Sequence, residues 1–295
     1  MRRLGPALLV ALFLIAGCGA EGASSSPDAA GPGPDVAVEV SGNDVPMTEE
    51  THVDLAPVVE VPTGGDVAPE AAAETNPPEV AAETSGADMG LPAGLKAIMI
   101  GAPGAMTPGD KVMSDRLKAR GFVVTLVTDA AVTTAQAAMF DLVVISSSAE
   151  SGPLGTKVRD VTIPVVSIEN GEYGPMRMTG TTRATDWDQT MGQTSVRITM
   201  AGHPLAAGLS GLVTISSAPG ELGWGVPGPA AVIIAEMADS PTHKVIFGYT
   251  AGAQMVGGTA PARRVGYAIR EVLAANLNAD GLKLFDAAIT WALSK

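Results

Sequence analysis

The chain has 295 residues, a formal net charge of -13, 4% aromatic residues and a single cysteine. One cysteine, at position 18, leaves the rest of the chain without an internal disulfide, a cysteine zinc site or a thiol nucleophile. Residues 19–93 carry 15 of the 31 acids and no Lys or Arg, and residues 94–295 balance 16 acids with 16 bases. With the excess charge confined to one segment and no basic patch, nucleic acid is excluded as a partner.

The first element is a basic n-region, Arg2-Arg3, followed by an apolar run of about 14 residues that ends Ile15-Ala16-Gly17 before Cys18. A helix needs ~20 residues to cross a bilayer, so this run is read as a secretory signal rather than a membrane span. Leu14-Ile15-Ala16-Gly17-Cys18 resembles the lipobox of bacterial lipoproteins. That resemblance implies removal of residues 1–17, lipidation of Cys18 as the new N-terminus, and attachment to the cell envelope. One acyl chain binds a membrane only marginally, so stable anchoring implies several. Gly19, where inner-membrane retention would favour Asp, resembles outer-membrane lipoproteins if the host is Gram-negative.

Residues 18–93 are rich in Ala, Pro, Glu, Asp, Gly, Ser, Thr and Val, and hold no Phe, Trp or Tyr. Such a composition buries too little apolar surface to offset ordering entropy, so the expectation is a disordered acidic tether. It would span ~50 Å as a flexible coil and up to ~230 Å as polyproline helix.

At Leu95 the texture changes, and residues 94–295 read as one α/β domain. Residues 96–101 are a buried strand, and the loop 102–109 leads to a helix with Val112, Met113 and Leu117 inward and Gly121 as its stop. Strands at 122–127, 142–146 and 163–168 follow, with a short helix at 134–140. Continuous apolar strands alternating with helices predict an α/β layer structure, a mainly parallel sheet covered by helices on both faces. Further strands at 195–200, 212–217, 231–237, 244–249 and 264–269 are too closely connected for helical crossovers, so some pair antiparallel. Leu282, Phe285, Ile289 and Leu293 mark a closing helix over 280–293, with Asp280 as N-cap.

His203-Pro204-Leu205-Ala206-Ala207-Gly208-Leu209 resembles the HP(I/L)xxGL motif of ThuA-like proteins, a branch of the class I glutamine amidotransferase-like superfamily. Arg263-Arg264-Val265-Gly266-Tyr267 resembles that family's late strand, and Asn278-Ala279-Asp280-Gly281 with Trp291-Ala292 its closing helix. The resemblance implies a flavodoxin-like or amidotransferase-like fold and, as in the amidotransferases, a strand-to-helix elbow that carries a nucleophilic cysteine; this domain has no cysteine. The elbow is expected after residue 168, where Glu169 stands in the nucleophile's place, followed by Asn170. A carboxylate there admits three roles: general base, ligand acceptor, or partner of nearby backbone amides.

The remaining motifs are weaker. Residues 104–111 imitate a phosphate-binding loop, but Asp110 stands where Lys belongs and Val112 follows Lys111, so no nucleotide cofactor is expected. The loop is expected instead to wall a crevice at the strand ends, with Gly101, Gly104, Ser147, Glu169 and Asn170 around it. Ser146-Ser147-Ser148 lack a GxSxG context and read as turn or helix caps. His203 and His243 form no HxxxH or HxH pair, so no metal is expected. Trp187 and Trp224 lie in loop-like segments, read as satellite packing or as faces for a sugar or peptide. The functional expectation is a membrane-anchored, non-catalytic domain that binds a small-molecule, carbohydrate or protein ligand. The alternative is a hydrolase or isomerase acting on a carbohydrate-related substrate, with Glu169 as base and His203 assisting.

Overall fold

The structure, a computed structural model, describes residues 91–295. The expected signal at 1–17, Cys18 and the tether up to residue 90 lie outside the described residues. Among the described residues no helix is long and apolar enough to cross a membrane.

The first half alternates strand and helix: β1 (Lys96–Gly101), α1 (Pro108–Ala119), β2 (Val123–Thr128), α2 (Thr134–Ala137), β3 (Leu142–Ile145), α3 (Ser151–Leu154) and β4 (Val165–Ser167). The second half is strand-rich: β5 (Trp187–Gln193), β6 (Ser195–Ile198), β7 (Gly211–Thr214), β8 (Gly220–Gly225), β9 (Val232–Met237) and β10 (Ser240–Tyr249). A two-residue pair, β11 (Gln254–Met255) and β12 (Gly258–Thr259), precedes β13 (Arg264–Tyr267), α4 (Glu271–Ala275) and α5 (Ala279–Leu293). Eleven strands form one sheet whose main path runs β2-β1-β3-β4-β13-β10-β9-β6-β7, with β8 and β5 branching from β10. From β2 to β13 every pairing is parallel, and from β10 onward every pairing is antiparallel. The α/β class and the antiparallel C-terminal strands therefore follow the sequence pattern.

All four residues of β3 and of β13 are buried, as expected for strands covered on both faces. The chain steps from β1 to β2 in one direction and from β2 past β1 to β3 and β4 in the other. Right-handed crossovers therefore put α1 on one face and α2 and α3 on the opposite one. Arg116 and Arg120 of α1 both reach Asp286 of α5, which places α5 on the face of α1. In α1, Thr107 caps the N-terminus through the Asp110 amide, Met113 and Leu117 are buried, and Gly121 ends the helix at φ 88.

Arg264 is completely buried, and its guanidinium donates to the carbonyls of Arg159, Val161, Ile163 and Arg263. It clamps the loop before β4 to the start of β13. Burial holds its pKa below the usual arginine value, at about 10, so it is still charged at neutral pH.

Several expected elements differ. The helix expected over 134–140 is a single turn, α2. The N-cap of α5 is Asn278, whose side chain accepts from the amides of Asp280 and Gly281, so Asp280 is a first-turn acid that complements the helix dipole. Trp187 and Trp224 lie in strands rather than loops: β5 (WDQTMGQ) and β8 (GELGWG) lack the apolar run that signals a strand in sequence, and their antiparallel pairing with each other makes them extended.

Candidate functional site

Ligands of open α/β sheets bind at the carboxyl ends of the strands, and two side-chain groups meet there. The first is built on β4. The strand leads through Ile168 into a 3-10 turn, Asn170–Glu172, of which Glu169 is the N-cap. Glu169 has φ -78 and ψ 109, an ordinary extended conformation rather than the strained turn of a nucleophile elbow.

Each oxygen of its carboxylate accepts a hydrogen bond within the fold. Oε1 accepts from the Gly171 amide at 2.7 Å and Oε2 from Arg270 Nη1 at 2.6 Å. The same Arg270 nitrogen donates to Asn170 Oδ1 at 2.5 Å, and Arg270 Nε reaches Glu221 Oε2 at 3.2 Å. Asn170 donates onward to the Asp188 carbonyl, and Gln189 donates to Glu221. Burial raises the pKa of Glu169, and Arg270 and the Gly171 amide oppose the rise without cancelling it. The Glu169 carboxylate thus ties the turn after β4 to Arg270 beyond β13.

Behind it sits Glu172, fully buried, with neither carboxylate oxygen hydrogen-bonded among the described residues. Burial, reinforced by the charges of Glu169 and Asp129, pushes its pKa up to about 8, so at neutral pH it carries its proton. The next residue, Tyr173, is buried against Phe247 in an edge-on contact at 5.1 Å.

The second group is on β3 and α1. Ser146 and Ser148 donate to the Asp110 carboxylate, one hydroxyl to each oxygen. Ser147 Oγ accepts the Glu271 amide at 3.1 Å and donates to the Glu271 carboxylate, so it caps α4 from outside the helix. The three serines are caps and anchors. A crevice of about 250 Å³ opens beside this group where β1 and β2 end, lined by Met99, Gly101, Ala102, Gly104, Met106, Asp110, Leu126, Val127 and Thr128.

Of the residues expected around one crevice, Gly101 and Gly104 line it, and Ser147, Glu169 and Asn170 do not. The last three belong to packing networks one to three strands away, because the sheet order interposes β3 and β4. Glu169 and His203 are not brought together either. His203 Nδ1 accepts the Leu205 amide, and its ring packs on Trp291 in the last turn of α5. Arg263, just before β13, stacks on the same Trp291, whereas Tyr267 at the end of β13 reaches Gly281 in the first turn of α5. His203 therefore lies at the amino end of the parallel strands and Glu169 at the carboxyl end. The four residues of β13 alone span about 13 Å. Trp224 stacks flat on His243 at 3.7 Å with 4% of its surface exposed, and the half-buried Trp187 donates to the Thr181 carbonyl. Among the described residues no group of three or more His, Cys, Asp or Glu is arranged to hold a metal.

The sequence reading missed Arg270 and Leu126. Arg270 carried a usable signal, a basic residue just beyond a strand at the carboxyl end of the sheet. Leu126 carried none, since a single apolar residue does not reveal that it flanks a gap.

No protein-family model and no curated protein matches this sequence. Among solved structures, the chain is similar to PurLQS from Thermotoga maritima, at 12% identity and a TM-score of 0.39, over 67% of this chain and 99% of the other. A glutamine amidotransferase from Thermotoga maritima is similar at 10% identity and a TM-score of 0.41, over 68% of this chain and 99% of the other.

Proposed function

We propose that the domain at 94–295 is a non-catalytic binding domain, held at the cell envelope by an acylated Cys18 and set off from the membrane by the acidic segment 19–93. The observation that carries the non-catalytic reading is the state of Glu169. Its unstrained backbone, its capping bond to Gly171 and its ion pair with Arg270 use both carboxylate oxygens in holding the turn after β4. A general base must reach a substrate proton at ~2.6–3.2 Å, and Glu169 is buried, paired with Arg270 and absent from the lining of the crevice. The hydrolase or isomerase alternative also loses its assisting group, because His203 lies at the opposite end of the sheet.

What remains suited to function is the crevice at the ends of β1 and β2, with walls from Met99, Met106, Leu126 and Val127. Ligand sites combine apolar walls with a few placed polar groups, and this crevice has that composition. The anchoring part of the proposal rests on the lipobox-like stretch ending at Cys18.

One experiment addresses the anchor. Cells expressing the chain are fed an alkyne-tagged fatty acid, and the protein is recovered and probed for the tag. The wild type incorporates label and fractionates with membranes, and Cys18→Ser does neither. Equal labelling of the two proteins would sink the anchoring reading.

A further inference from the structure

The crevice at the ends of β1 and β2 has a chemical polarity that selects its ligand. Among the described residues its lining contains one carboxylate, Asp110, and no Lys or Arg. Asp110 occupies the third position of α1, where a helix N-terminus otherwise attracts anions, and its own charge takes up that field. Each Asp110 oxygen receives one serine hydroxyl, from Ser146 or Ser148. A carboxylate offers about four acceptor positions, so about two remain on a group that is 7% exposed and borders the crevice.

The Asp110 amide is already taken by Thr107, and Lys111 turns outward to Asp115, so neither is directed to a phosphate. Besides the carboxylate, Met99, Met106, Leu126 and Val127 supply apolar wall. Thioether side chains adapt to ligand shape, and their polarisable sulfur suits an aromatic body. The volume of about 250 Å³ is below the ~300–1,000 Å³ of sites for drug-sized ligands, so the occupant is small.

We propose that this crevice binds a small organic ammonium ion, with its apolar body against Met106 and Leu126 and its cationic head on the Asp110 carboxylate. This rests on the binding reading above and narrows it to one ligand class. Anions are disfavoured by the Asp110 charge, and neutral ligands forgo a charge-assisted hydrogen bond in a partly desolvated place.

The test uses the chain from residue 18 onward carrying Cys18→Ser, with methionine methyls labelled for NMR and affinities read by titration. Three probes share one body: 2-phenylethylammonium, 2-phenylethanol and phenylacetate. The ammonium probe is expected to shift the Met99 and Met106 methyls and to bind at least tenfold more tightly than the alcohol, with phenylacetate weakest. Asp110→Asn keeps partners for both serines, since hydroxyls can donate or accept, and it lowers ammonium affinity roughly ten- to hundredfold without changing alcohol affinity. Leu126→Lys changes a side chain that is 51% exposed, so the fold tolerates it, and its cation abolishes ammonium binding. Should the alcohol or phenylacetate bind at Met106 as tightly as the ammonium, the ligand class is wrong and the crevice stands as a site. If none of the probes shifts these methyls, the proposal and the crevice's place in the binding reading both fall.

Discussion

Glu172→Gln tests the buried acid behind the β4 turn through the pH dependence of stability. In the folded protein Glu172 titrates at about 8, raised first by burial and then by the charges of Glu169 and Asp129, against an ordinary value of 4.5. Between those two values the folded state holds a proton that the unfolded chain has released. Stability therefore is full below about pH 4.5 and falls as pH rises through 8. The slope is at most ~1.4 kcal/mol per pH unit, so the whole window is worth on the order of 5 kcal/mol. Glutamine has nearly the same shape and no charge, so it matches the protonated acid and removes this slope.

Urea denaturation of both proteins from pH 5 to 9 isolates the effect, because all other titrating groups cancel in the difference. The variant should lie close to wild type at pH 5 and gain steadily with pH. By pH 9 its urea midpoint should exceed that of wild type by about 2 M, taking ~2–3 kcal/mol per M as the denaturant slope. A difference that stays constant from pH 5 to 9 would refute the reasoning, since it would mean that Glu172 titrates alike in folded and unfolded chains.

Two more perturbations probe the frame that positions the strand ends. Arg264→Met keeps an apolar stem but removes the donors to four carbonyls, so it should cost about 3–5 kcal/mol, read as a lowered urea midpoint. A loss under 1 kcal/mol would show that water replaces the guanidinium there. Gly281→Ala would place a Cβ 2.3 Å from the Ile215 carbonyl oxygen. That clash should outweigh the ~1 kcal/mol of helix propensity that alanine adds, leaving a net loss of about 1–3 kcal/mol in thermal or urea unfolding. An unchanged or raised stability would mean that α5 does not approach β7's trailing loop so closely.

The alternating half of the fold was legible because its strands are apolar runs buried on both faces: β1, β3 and β4 follow the pattern within a residue or two. The strands β5 and β8 were invisible because their residues do not form a contiguous apolar stretch. In β8, Gly223 and Gly225 leave room for Asn170 and Tyr173 to pack against the backbone. Only pairing with distant strands makes such sequences extended. The cap of α5 was misplaced by two residues, since Asn278 and Asp280 are both capable caps and backbone geometry chooses between them.

From the sequence alone came the lipobox-like Cys18, the uneven charge along the chain, the absence of a domain thiol and the α/β pattern. These are local or additive properties of residues, so no long-range contact was needed to read them. The partnership of each chemical side chain was decided only in three dimensions. Glu169 became a structural ion pair because β13 delivers Arg270 from 101 residues away. Asp110 became a crevice carboxylate because β3 delivers two serines to it. His203 is set apart from Glu169 because its ring packs on Trp291 in the last turn of α5. The environment of a charge depends on which strands are neighbours, and strand order is a property of the folded sheet that local sequence does not contain.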